Sequence, residues 1–173
     1  MSAPMATMQS GANRTLKASE WAALSPGLAH ALKAAGVEPV IVARAAWLAR
    51  LASWWRGHVP ILSMPGAIYW PGALEDFSAP GLERHMAVLQ HELQHVLEYG
   101  AGVLSPLRYL IQPKNWRYAY RLFPGCAWAD FGAEQRARLV EDYWWIERGL
   151  KAALLHPVEE YRRLIPWVDK IED

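Results

Sequence analysis

Apolar positions along this chain repeat with two periods. Leu82, Met86, Leu89, Leu93 and Val96 recur at alternating spacings of four and three, the stripe that a helix buries on one face. Ser78 is placed to cap that helix with Pro80 in its first turn, and Gly100 and Gly102 end it. A second long helix is expected after Asp130, a candidate cap, with Leu139, Tyr143, Ile146 and Leu150 as its stripe until Pro157. A short helix from Val158 is stopped before Pro166. Upstream the period shortens: Val40, Ile41 and Val42 read as a buried strand, and His58 to Ser63 and Ala67 to Trp70 as two more around the turn-forming Met64-Pro65-Gly66. Short helices follow Ser19, broken at Ser25-Pro26-Gly27 and closed by Gly36, and Ala45 to Trp55 reads as an amphipathic helix.

These elements predict an α+β domain, a small mixed sheet covered by helices. Residues 1–14 lack a periodic apolar pattern and are expected to be a disordered arm, leaving a single domain over residues 15–173. Neither an internal repeat nor a low-complexity linker divides that stretch. The segment between the two long helices, punctuated by Pro106, Pro113, Pro124 and Gly125, is too broken for a long helix and longer than an ordinary connector.

Composition narrows the class. With 53% hydrophobic and 20% charged residues, the chain of 173 can bury a core without staples. The net charge of +1 offers no broad field for nucleic acid or anionic lipid. A lone cysteine, Cys126, forms no internal disulfide and no thiolate cluster. The first eleven residues lack a signal peptide's basic start and apolar run, so conventional export is not expected and a cytoplasmic protein is. The most apolar segment is interrupted by Arg44 and Arg50, so no membrane insertion is expected. Ten tryptophans could line a peptide groove, although bulky core packing is their commoner use.

One motif carries chemistry. His91-Glu92-Leu93-Gln94-His95 matches HExxH, and on a helix residues four apart stack one turn above each other, so both imidazoles can reach one cation. Two histidine nitrogens suit Zn2+, and a third protein ligand leaves a position for water. Glu92 is then the catalytic general base. The third metal ligand is assigned to Glu134, in the first turn of the second long helix, because the short third-histidine spacing of metzincins is absent. The alternative for Glu134 is a surface pair with Arg138. Glu141 is a weaker ligand candidate, Asp142 could orient a ligating histidine, Cys126 is read as a small buried hydrophobe, and His85 and His156 as structural or exposed. Tyr118, Tyr120 and Tyr143 are possible donors to transition-state charge. The basic, aromatic loop from Arg108 to Arg121 could bind nucleic acid or cover a substrate, but is read first as a solvated loop with inward-packed aromatics.

Ile68-Tyr69-Trp70, Asp76-Phe77, His91 to Val96, Tyr118-Ala119-Tyr120-Arg121-Leu122 and Phe131-Gly132-Ala133-Glu134-Gln135-Arg136-Ala137 together resemble a bacterial Vgr-related family of small HExxH zinc metallopeptidase domains, associated with type VI secretion and contractile injection systems. The resemblance spans most of the chain. It implies a zincin-like fold of gluzincin type, supports His91, His95 and Glu134 as zinc ligands, and brings in a protein or peptide substrate and a role as a secretion-system component. Arg138 stands where the pattern leads one to expect an acidic residue. Two other functions compete with the peptidase: a non-catalytic adaptor or chaperone of such a system, and a hydrolase of peptidoglycan peptides.

Overall fold

In the computed structural model the protein is described over residues 13–46, 59–150 and 156–168. Four short strands form one mixed sheet in the order β1-β2-β4-β3: β1 Asn13–Thr15, β2 Val40–Val42, β3 Leu62–Met64 and β4 Ala67–Tyr69. β1 runs antiparallel to β2, β2 parallel to β4, and β4 pairs with β3 in a hairpin turned by Gly66 at φ +74°. Arg14, Ile41, Ile68 and Ser63 lie opposite one another across the sheet. Because alternate residues face alternate sides, this row shares one face. Ile41 and Ile68 on it are fully buried.

Among the described residues six α-helices accompany the sheet: α1 Ala18–Ala23, α2 Pro26–Ala34, α3 Glu83–Gly100, α4 Pro106–Ile111, α5 Ala133–Glu147 and α6 Val158–Leu164. The α3 stripe is buried along its length, as the spacing requires. Gly102, at φ +69°, closes the helix, with Val103 N–H donating to Glu98 O and Gly102 N–H to Tyr99 O, the paired bonds of a Schellman stop. On α5, Leu139 and Tyr143 are buried, whereas Leu150 lies beyond the helix end and is exposed.

Four local expectations give way. The chain is already in a strand at Asn13 and Arg14, because Arg14 forks onto the fully buried Glu20 with two bonds of 2.6 Å. Residues 1–12 of the expected arm lie outside the described residues, as does most of the expected Ala45–Trp55 helix and His58. Of the expected strand ending at Ser63, regular pairing begins at Leu62. The long helix starts at Glu83 rather than near Ser78: Asp76 takes up both the N–H and hydroxyl of Ser78, and Gly81 turns the chain at φ +84°. Asp130 caps no long helix either, for its carboxylate accepts from Ala127 N–H within a short 3-10 turn, and Gly132 takes the cap position of α5.

Seven of the tryptophans fall among the described residues: Trp70, Trp144 and Trp167 are buried, Trp21, Trp128 and Trp145 partly so, and Trp116 exposed. Core packing is thus their main use. No described helix is long and apolar enough to cross a membrane.

Candidate metal centre

Two helices bring the chemistry together. α3 presents His91 and His95 one turn apart, their rings in edge contact with centroids 5.0 Å apart, and α5 aims Glu134 from its first turn between them. His91 Nε2 lies 3.0 Å from Glu134 Oε2, and His95 Nε2 lies 3.5 Å from Glu134 Oε1. All three side chains are buried, and one ligand atom from each falls within 4.8 Å of the others.

The first turn of α5 is built to hold Glu134 there. A Cβ on Gly132 would stand 2.0 Å from the carbonyl oxygen of Lys114, so only glycine permits this approach. Gln135 reaches back to accept from Gly132 N–H at 3.0 Å, and the side chain of buried Asn115 accepts from Ala133 N–H at 3.1 Å. These bonds satisfy two of the free donors that open a helix. The register between the helices is fixed by a second buried contact. Arg136 forks onto Glu98 with two bonds of 2.6 Å, and Gln94 donates to the same carboxylate at 3.0 Å.

Electrostatics follow from this closeness. Burial alone would raise the Glu134 carboxyl, but its bonds to His91 and His95 hold it well below the usual carboxylate range. Burial would likewise lower His91, yet Glu134 and Glu141 outweigh it and push the imidazole up to about 10. Without metal, the pair at neutral pH is imidazolium and carboxylate. Tyr109 donates its hydroxyl to Glu134 Oε1. Burial and the Glu134 charge raise this phenol far above its ordinary value, so it remains a donor.

The donor set fits a divalent metal ion. Tetrahedral zinc with bonds of about 2.0–2.1 Å separates its ligand atoms by roughly 3.3 Å, comparable with the two histidine–carboxylate separations, each of which is made to a different oxygen of Glu134. Two imidazole Nε2 atoms and a carboxylate are also a chemically suitable set. His95 Nδ1 is buried without a hydrogen-bond partner among the described residues.

Beside these three residues, Glu92 borders a cleft of about 870 Å³ that also reaches His91, Arg84, Tyr118, Arg138 and Glu141. Ser63, at the sheet edge, donates its hydroxyl to Glu92 Oε2 at 2.7 Å and so fixes the carboxylate. The cleft's apolar wall includes Val59, Ile61, Val88 and Trp145.

No family model matches this chain, and neither does any solved structure. A curated relative does. The type VI secretion system spike protein VgrG2b of Pseudomonas aeruginosa is 32% identical over 98 residues, an alignment taking in 52% of this chain and 10% of that protein. The chain therefore spans about a tenth of the length of the curated relative it matches.

Set against the sequence, the structure brings His91, His95 and Glu134 into one group, with Glu92 at the adjoining cleft. The proposed Glu134–Arg138 surface pair does not form, since Arg138 turns to Glu141 and Asp142 at 3.0 and 3.2 Å. Asp142 orients no histidine, because it accepts from Tyr120 at 2.7 Å. Glu141 instead lies 3.4 Å from His91 Nδ1, on the side away from Glu134. Tyr120 bonds to Asp142 and Tyr161, and Tyr143 to Glu147; of the three, Tyr118 lines the cleft, its ring stacked on His91 with centroids 6.2 Å apart. Cys126 is buried beside Arg163, and His85 is exposed.

Tyr109 and Ser63 have roles that the pattern reading did not assign. Ser63 had a signal, being the polar member of an alternating strand on the side of its buried neighbours. Tyr109 had none, since only the folded loop brings it to Glu134.

Proposed function

We propose that this protein is a zincin-like zinc metallopeptidase that hydrolyses peptide bonds and acts as a component of a type VI secretion system. The observation that carries the hydrolytic reading is the convergence of His91 Nε2, His95 Nε2 and the Glu134 carboxylate beside an open cleft bordered by Glu92. The secretion-system part rests on similarity to the spike protein, whose covered segment includes a minority of its length.

His91, His95 and Glu134 are the residues that would hold the metal. A zinc ion bound there would supply Lewis acidity and would lower the pKa of a bound water towards neutrality. Glu92, held by Ser63, accepts the proton of the attacking water and delivers it to the leaving amine. Tyr118, whose ring lies beside His91 at the cleft wall, is the candidate donor to developing negative charge. Glu141 bears on the outer nitrogen of His91 and keeps its ring turned toward the shared centre.

The test combines metal content with turnover. Zinc should bind at one equivalent per chain and be lost in the His91→Ala/His95→Ala variant. Cleavage of a peptide library should fall by roughly 10²–10⁴-fold in Glu92→Gln, with zinc retained. A zinc-bearing protein without Glu92-dependent cleavage would be an adaptor, and activity confined to muropeptides would make it a cell-wall hydrolase.

A further inference from the structure

Nine large hydrophobic side chains are exposed among the described residues, and three of them, Val59, Tyr118 and Leu150, line the cleft. The other six, Val103, Leu107, Leu110, Ile111, Trp116 and Phe123, lie outside it, and all fall between residues 103 and 123. On α4, Leu107, Leu110 and Ile111 sit at i, i+3 and i+4 and form one outward face, 67%, 58% and 63% exposed. Tyr109 points from the opposite side to Glu134. The indole N–H of Trp116 donates to Tyr109 O, tying the following turn to the same helix. Monomeric soluble domains rarely leave such a group of side chains uncovered without a use.

Charge selects the partner. Arg108, Lys114, Arg117 and Arg121 are all exposed, and no acidic residue occurs between Glu98 and Asp130. The chain's net charge of +1 thus conceals a wholly cationic segment. Self-association through this face would bring like charges together. Nucleic acid would use the cations but gain little from an aliphatic face, because bases stack on aromatic rings. An anionic bilayer surface matches both features: aliphatic side chains enter the boundary between headgroups and acyl chains, and cations meet lipid phosphates.

We propose that the outward face of α4, with Trp116 and the surrounding basic side chains, docks this protein peripherally on an anionic lipid membrane. This is attachment in the plane of the interface, compatible with the absence of a spanning helix among the described residues. Docking holds the metal-site residues one helix thickness, about 10 Å, from the bilayer and favours substrates at the membrane surface. The proposal does not depend on peptidase activity.

The test is co-sedimentation of the full, zinc-replete chain with vesicles of phosphatidylcholine, with and without phosphatidylglycerol. Binding is expected to the anionic vesicles and to weaken at least ten-fold between about 0.1 M and about 1 M salt, as the Debye length contracts from about 10 to about 3 Å. Leu107→Ser/Leu110→Ser/Ile111→Ser should weaken it about a hundred-fold through lost apolar burial. Arg108→Gln/Lys114→Gln/Arg117→Gln should do so by about five-fold per charge. Both variants change exposed side chains, and unchanged circular dichroism and zinc content exclude misfolding as the cause. Failure to sediment with anionic vesicles, or binding undiminished by the serine substitutions, overturns the proposal. So does a dimer in light scattering that the serine variant dissolves, or binding of single-stranded DNA without binding of vesicles.

Discussion

Arg136→Met tests whether the two helices that carry His91, His95 and Glu134 are held in register by their buried ion pair. Glu98 and Arg136 are both buried and joined by two bonds of 2.6 Å, while Arg136 also donates to Phe131 O at 2.6 Å. Methionine fills much of the arginine's volume but leaves the Glu98 carboxylate buried, with Gln94 its remaining side-chain donor. Removing one member of a buried pair costs about 3–5 kcal/mol, chiefly because the surviving charge lacks compensation. In a domain of this size, about 2–4 °C of melting temperature is lost per kcal/mol, giving a fall of roughly 6–20 °C. The clean assay is urea unfolding in the presence of a chelator, followed by tryptophan fluorescence and far-ultraviolet dichroism together to check for a single transition. Glu98→Met/Arg136→Met should recover most of the loss, because the orphan charge disappears with its partner. A single variant within about 1 kcal/mol of the parent, or a double variant no better than the single, refutes the argument. Zinc affinity offers a second reading: Arg136 is two residues from Glu134, so a slipped α5 should weaken binding more in the single variant than in the double.

The remaining predictions concern the same helix junction. Zinc binding to the metal-free protein at pH 7 should displace close to one proton from His91, whose value is pushed up to about 10; calorimetry in buffers of different ionisation enthalpy counts it, and zero release contradicts the assignment. Affinity should therefore fall about ten-fold per pH unit as pH drops below that value. Linkage gives the metal-free fold the opposite dependence on the alkaline side. Raised His91 contributes stability fully below its ordinary 6.5, lost as pH rises through about 10; lowered Glu134 contributes above its ordinary 4.5, lost as pH falls toward its depressed value. Chelated protein should thus gain most from the pair between those two ordinary values, a window that urea midpoints across pH will show or deny. Gly132→Ala should destabilise by about 1–3 kcal/mol and weaken zinc binding, since its Cβ meets Lys114 O at 2.0 Å; an unchanged melting temperature would mean that the Lys114 turn yields freely.

Much of this arrangement could be read before folding because it repeats locally. The Leu82-to-Val96 stripe specifies α3 regardless of what packs on it, and the i,i+4 spacing of His91 and His95 follows from the helix alone. Helix starts were less legible. Ser78 looks like a cap until Asp76 takes its hydrogen bonds, and Asp130 until Ala127 takes its carboxylate. These are contests between neighbouring polar groups decided by backbone geometry. Glu134 could be proposed from its place in a first turn, but Tyr109, twenty-five residues away across two prolines, could not. Likewise Arg136 reads as a surface helix residue until Glu98, from another helix, claims it. Pairings of this kind depend on tertiary closure, and no single-element period contains them.

The hydrogen bond from the Trp167 indole to Gln94, 3.1 Å long, has a bearing on how the motif can vary. Leu93 is fully buried, and the Gln94 amide is engaged at both ends, receiving from Trp167 and giving to Glu98. The two positions that an HExxH pattern leaves open are thus bound here by the interior, one by volume and the other by complementary donor and acceptor. Redesign of this domain has less freedom between its histidines than the pattern implies. A functional library that randomises Leu93 and Gln94 should return few solutions, unless residues 98 and 167 are allowed to change with them.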